Sequence, residues 1–195
     1  MLGAAAVAMW WDVPPEVREE WEDWHSHEHM PERLAIPGFL RGSRWASGDS
    51  YFVLYEVDGF ATLTGGPYLE RLNDPTPWSR KMMPHHRNMV RSLCEVRASF
   101  GRGVAQVVAT LRTEIAADAL QPLPGRKGLT AAHLLRSRPM AGMAQTIEQK
   151  IRGGDAGAKW IALIGGYDAD AVAVACREIA PGAAVGLYRF SFCLP

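Results

Sequence analysis

Apolar positions in this chain fall into short runs that recur in a fixed order. Leu2–Trp11 reads as a first strand, and Pro14-Pro15 closes it and favours a helix start. From Glu16 to about Met30, Val17, Trp21 and Trp24 return on one stripe, which predicts a helix with a buried face. Pro31 and Pro37-Gly38 punctuate its exit. Phe39–Ala46 and Tyr51–Val57 predict two strands joined by the turn Ser47-Gly48-Asp49-Ser50. Asp58 caps a second expected helix running to about Leu72, weakened by Gly65-Gly66-Pro67. Asn73–His86 reads as a long loop, and Met89–Phe100 as a fourth strand. The order is β-α-β-β-α-β.

The second half repeats that order with shorter elements. Val104–Arg112, Leu129–Arg136, Trp160–Leu163 and Val185–Leu194 predict strands, and Asp168 opens an alanine-rich helix to about Ile179. Residues 113–127 are too short and too rich in Pro and Gly to copy the first helix. Residues 137–158 read as a mobile insertion. A split β-α-β unit forms a four-stranded antiparallel sheet with both helices on one face. A second copy can cover the open face. The expected fold is therefore α+β: two tandem ferredoxin-like (βαββαβ) repeats, residues 1–101 and 102–195, whose sheets pack face to face as an α+β barrel within one chain.

Composition narrows the possibilities. Hydrophobic residues make up 48% of the 195, enough for a real core, and 21 basic residues balance 21 acidic ones. That balance offers no general attraction to nucleic acid or anionic lipid. Residues 1–100 hold 10 Lys/Arg against 14 Asp/Glu, and 101–195 hold 11 against 7, an offset that could help the halves associate. Cys94, Cys176 and Cys193 are odd in number and scattered through apolar surroundings, as expected of reduced thiols in a cytoplasmic protein. The apolar opening lacks a basic n-region and is too short to span a bilayer, so no membrane role is expected. Neither a phosphate-cradling glycine loop nor a Gly-x-Ser-x-Gly nucleophile elbow is present.

The chemistry concentrates in Trp24-His25-Ser26-His27-Glu28-His29-Met30-Pro31, where half of the six histidines fall within five residues. Histidine titrates nearest neutrality, so the cluster suits proton transfer or metal binding. Glu28-His29-Met30-Pro31 followed by Ile36-Pro37-Gly38-Phe39 resembles the Glu-His-x-Pro…Pro-Gly signature of EthD-like proteins in the dimeric α+β barrel superfamily. The resemblance covers about residues 16–46. It implies a cavity between sheet and helices and small, often aromatic or polyketide-like substrates. Relatives include cofactor-free isomerases, cyclases, decarboxylases and monooxygenases, and others bind haem. The signature histidine, here His29, is the one usually suspected of acid/base work. The doubled chain, the added His25 and His27, and the loss of the signature from the second half depart from the family pattern.

On the residues themselves, Glu28 continues the stripe of Val17, Trp21 and Trp24, with His25 and His29 flanking it and His27 pointing to solvent. A carboxylate beside two imidazoles at an apolar wall can tune a general base. Alternatively, Glu28 and His29 cap the helix end. Further candidates for the substrate pocket are Trp24, Arg44, Tyr55, Trp78, His85 and His86. Arg44 suits a substrate carboxylate but also fits a solvent-facing position, and strand alternation sets it opposite Trp45. The expected function is a cofactor-independent enzyme moving protons on an apolar oxygenated small molecule. Two alternatives are a non-catalytic small-molecule binder and a haem protein ligated by His25, His29, His85 or His86. No recognised metal motif is present, and a homodimer is possible.

Overall fold

Strand β1 (Ala5–Asp12) is buried along nearly its whole length because its two faces meet different layers. Ala5, Val7, Met9 and Trp11 join a core beneath helices, while Ala6, Ala8 and Trp10 join a second core with Trp45, Phe52, Leu54 and Leu163. This two-sided burial explains the unbroken apolar run of the first strand. A computed structural model of the protein describes residues 1–138 and 144–195. The other strands are β2 (Phe39–Ser47), β3 (Ser50–Val57), β4 (Arg87–Gly101), β5 (Val107–Leu111), β6 (Leu129–Ser137), β7 (Trp160–Gly166) and β8 (Val185–Leu194).

All eight close into one barrel in the order β1-β3-β2-β8-β5-β7-β6-β4, every neighbour antiparallel. Within each half the sheet runs fourth, first, third, second, the ferredoxin-like order. The halves join at β2–β8 (Gly42↔Leu194 to Ala46↔Arg189) and at β4–β6 (Cys94↔Ser137 to Gly101↔Ala131). The two sheets thus share ladders at both edges as well as facing one another, which removes every open edge. The second core fills the barrel interior, and a third, under the second half's helices, gathers Leu111, Leu120, Ile164, Val172 and Cys176.

The long first helix has three segments: α1 (Arg18–Trp24), a π-helical turn (His25–His29) and α2 (Met30–Leu34). It runs four residues past the expected end. Pro31 lacks an N–H and would crowd the carbonyl four residues back, and the wider turn just before it relieves that conflict. Gly38, at φ 96°, then turns the chain into β2, where a side chain would strike the Asp58 carboxylate.

The expected second helix is a 3-10 turn (Phe60–Thr64) followed by α3 (Gly66–Asn73), because Gly65 and Gly66 break it. The expected loop 73–86 contains α4 (Pro77–Met82), started by the Thr76 side chain accepting from the Ser79 N–H at 3.0 Å. In the second half α5 (Ala117–Leu120) is a single turn and α7 (Ala169–Ile179) is capped by Asp168. The insertion reading of 137–158 needs correction over its second part. There α6 (Ile147–Ile151) begins with a Thr146/Gln149 capping box and buries Glu148 against the first half. Residues 139–143 of this segment lie outside the described residues.

Candidate functional site

The π-helical turn decides which side chains face the sheet. Trp21, Trp24, His25, His29, Met30 and Arg33 are all buried. With one residue removed between His25 and His29, their spacing becomes i, i+3, i+4, i+7, i+8, i+11, an unbroken α-helical stripe. The turn absorbs that extra residue, so both ends of the helix keep the same face on the core. His27 bulges out with its side chain 73% exposed, as the sequence suggests. The carbonyl of Glu22 accepts from the His25 N–H and also from Ser26 Oγ at 2.6 Å and Arg44 Nη1 at 3.4 Å.

Three imidazoles meet beneath this helix. His25 stacks on Trp21 (centroids 4.9 Å apart), His29 packs on Trp24 (4.6 Å) and His86, arriving from the end of the 73–86 segment, stacks on Trp11 (4.7 Å). His25 and His29 lie 5.6 Å apart. Burial holds all three well below the ordinary histidine pKa, and the charge of Arg44 adds to this at His25, that of Arg33 at His29 and that of Arg152 at His86. They are neutral near pH 7. Trp21 Nε1 donates to His86 Nε2 at 2.8 Å, which assigns the His86 proton to Nδ1. Arg44 Nη1 donates to His25 Nδ1 at 3.3 Å, leaving the proton on Nε2. His25 Nε2, His29 Nδ1 and His86 Nδ1 are buried without a partner.

Arg44 is itself buried, which corrects the solvent-facing reading. Its guanidinium lies over the rings of Trp21 (5.5 Å) and Phe192 (5.4 Å), and Nε donates to Ser191 Oγ at 3.2 Å. Trp45 faces the barrel interior, as strand alternation requires. Tyr55 lies under the helix, and its hydroxyl has no partner. Gly42 makes this packing possible, since a side chain there would lie 2.9 Å from both the Met30 sulfur and the Tyr55 ring.

The other candidates are placed elsewhere. Glu28 is only half-buried and accepts from Thr76 Oγ1 at 2.5 Å and Trp24 Nε1 at 3.2 Å, tying α4 to the first helix. Trp78 reaches outward to Glu20, its Nε1 donating at 3.2 Å, and His85 is partly exposed beside the cluster. Arg33 escaped the sequence reading. It is buried, paired with Glu148 of α6, and one terminal nitrogen, Nη1, has no partner. Its i+4 spacing from His29 was the available signal, hidden by the assumption that the helix ended at Met30.

No group of three or more His, Cys, Asp or Glu side chains among the described residues is placed to hold a metal ion. Each of these three imidazoles is packed on an indole. No helix among the described residues is long and apolar enough to cross a membrane.

Neither a protein-family model nor a curated protein matches the sequence. Solved structures do match the fold. A proposed monooxygenase from Fusobacterium nucleatum superposes with a TM-score of 0.61 at 8% identity, over 99% of this chain and 95% of that one. An anthrone oxidase-like protein gives 0.59 at 11% identity over 98% and 92%, and a proposed monooxygenase from Lactobacillus acidophilus gives 0.53 at 8% over 96% and 93%. The fold is a tandem pair of ferredoxin-like repeats closed into one α+β barrel. At these identities the likeness is one of fold alone. Within this α+β barrel the histidine cluster occupies the layer between the first-half sheet and its helices.

Proposed function

We propose that the protein is a cofactor-independent, EthD-type enzyme that moves a proton on an apolar, oxygenated small molecule. Its site lies in the first repeat, with His29 as general base. The observation that carries this reading is the set of three buried, neutral imidazoles, each with a ring nitrogen that no protein atom satisfies. Buried polar atoms are nearly always paired, so three orphans in one aromatic layer favour a ligand over packing. His29 abstracts the proton, His25 is oriented by Arg44, and Trp24 and Tyr55 wall the substrate. Glu28 is a positioning residue, holding α4 against the helix. The names of the fold neighbours, two proposed monooxygenases and an anthrone oxidase-like protein, support a small-molecule substrate.

Deuterium exchange at the acidic methylene of 2-tetralone, followed by NMR, tests this. The wild-type protein accelerates exchange over buffer, and His29→Ala loses about 10²-fold or more of that acceleration with its near-UV circular dichroism unchanged. Equal exchange by a folded His29→Ala protein, or none above buffer by the wild type, overturns the reading.

A further inference from the structure

Two donors beside His29 have no role in the reaction so far described: the free Arg33 Nη1 and the Tyr55 hydroxyl, both buried and both without a partner. Leaving such groups unsatisfied costs more than any neutral packing returns, and most of all for a guanidinium. Both are held by their surroundings. The other Arg33 terminal nitrogen is paired to Glu148, which Arg152 also contacts, at 3.4 Å, while Arg152 binds Asp155 at 3.0 Å. Tyr55 is fixed by the close approach of Met30 over Gly42. Arg33 lies one turn beyond His29 on the same buried helix stripe, and the Tyr55 ring meets Met30, the residue after His29, over Gly42, which places the three groups in one neighbourhood.

We infer that Arg33 and Tyr55 are the oxyanion-holding pair of this site, and that its ligands carry an acidic oxygen: an enol, a phenol or the enolate formed from a ketone. This rests on the proton-transfer reading for its chemistry and adds the substrate class. In the step, the C–H bond next to the carbonyl breaks and its proton passes to a ring nitrogen of His29. The bonding pair forms a carbon–carbon double bond, and the carbonyl π pair moves onto oxygen. That oxygen accepts from Arg33 Nη1–H and Tyr55 Oη–H. No oxidant or reductant is consumed. Prearranged donors of this kind act most strongly where water is excluded.

The pair also makes the site depend on both halves. Glu148 and Arg152 come from the second half, on and beside α6, so the second repeat supplies the counter-ion that orients Arg33. A cavity of about 120 Å³ lined by Leu63, Leu72, Arg91, Thr146 and Gln149 runs along α6. Arg91 bridges from it to the Tyr68 hydroxyl at 2.7 Å. None of Arg33, Tyr55 and His29 lines the cavity, so a ligand reaches the pair only where α6 and the first helix part.

The ionisation of bound 2-naphthol, read from the absorbance of its anion, tests the inference directly. The groups that face its oxygen are Arg33, Tyr55 and His29, with Tyr68, Glu148 and Arg152 behind them. Bound naphthol ionises at least one pH unit below free naphthol, a tenfold gain for the anion. Arg33→Met combined with Glu148→Gln, which strands no buried charge, returns the value to that of free naphthol, and Tyr55→Phe loses at least threefold. An unshifted ionisation, a shift that survives both variants, or no binding up to the solubility limit of naphthol overturns the inference. If the double variant does not fold, Tyr55→Phe alone decides. The measurement needs no proton abstraction, so it is repeated in His29→Ala. A shift kept there, with tetralone exchange independent of His29, removes the base and leaves the oxyanion pair standing. His29-dependent exchange without a naphthol shift removes only the pair.

Discussion

At the scale of single residues, Arg44 carries the most structure per side chain. It donates to the Glu22 carbonyl, orients His25, reaches Ser191 on the partner strand of the other half, and lies between two aromatic faces. Arg44→Met keeps the bulk and removes every polar contact. It is expected to cost about 1–3 kcal/mol in urea unfolding, and Arg44→Lys should recover little because an ammonium cannot span three acceptors in one plane. Loss of its charge also raises the His25 pKa toward the ordinary value, visible by NMR titration. A lysine variant as stable as wild type would contradict this account. Strand periodicity placed Arg44 correctly opposite Trp45 but could not say whether a helix covered that face. His86 was equally opaque. Its neighbours Pro84 and His85 are exposed or partly so, and contacts with Trp11 and Trp21, some 65–75 positions away, bring it into the cluster.

At the scale of elements, the first helix shows how a one-residue insertion can be stored. The π-helical turn keeps Trp21 and Trp24 on the same face as Met30 and Arg33, and it pushes His27 into solvent. Deleting His27 should therefore convert the turn to ordinary α-helix without turning either end, with a stability loss within about 1 kcal/mol. Inserting an alanine after His27 cannot be absorbed the same way. It rotates the following segment by about 100°, taking Met30 off Gly42 and Arg33 off Glu148, at a cost of about 2–5 kcal/mol or more. Paired urea denaturation curves check this, and a deletion more damaging than the insertion would reverse it. The misfit was present in the sequence, since a strict α-helical reading carries Glu28 into the buried face. The structure resolves the conflict by shifting the register one residue, so that His29 takes the buried place and Glu28 moves half out to meet Thr76. Helix geometry alone would have hinted at this, whereas the Thr76 partner, 48 positions away, is a tertiary fact.

At the scale of the whole molecule, element order was legible because each strand run is bounded by proline, glycine or polar turns. The equivalence of the halves emerges from two sheets of identical strand order. What the sequence could not specify is that the sheets share hydrogen-bonded ladders at both edges, so that neither half can open without breaking the barrel. That closure governs the response to acid. His25, His29 and His86 are held neutral far below their ordinary pKa, and burial lowers His133, near the β4–β6 seam, to about 3. In the unfolded chain all four bind protons as pH falls through about 6.5, while the native state refuses them. Their contribution is thus intact above pH 6.5 and is lost progressively as pH drops toward 3. With up to four excess protons on the unfolded side, the slope reaches about 5 kcal/mol per pH unit, steep against a domain stability of about 5–15 kcal/mol. Acid titration followed in parallel by tryptophan emission, which reports side-chain packing in the helix layer and barrel interior, and by far-UV circular dichroism, which reports backbone structure, should give one coincident transition in that window. A protein native at pH 3, or two separate transitions, would mean either that the imidazoles already carry protons in the fold or that the two halves unfold independently.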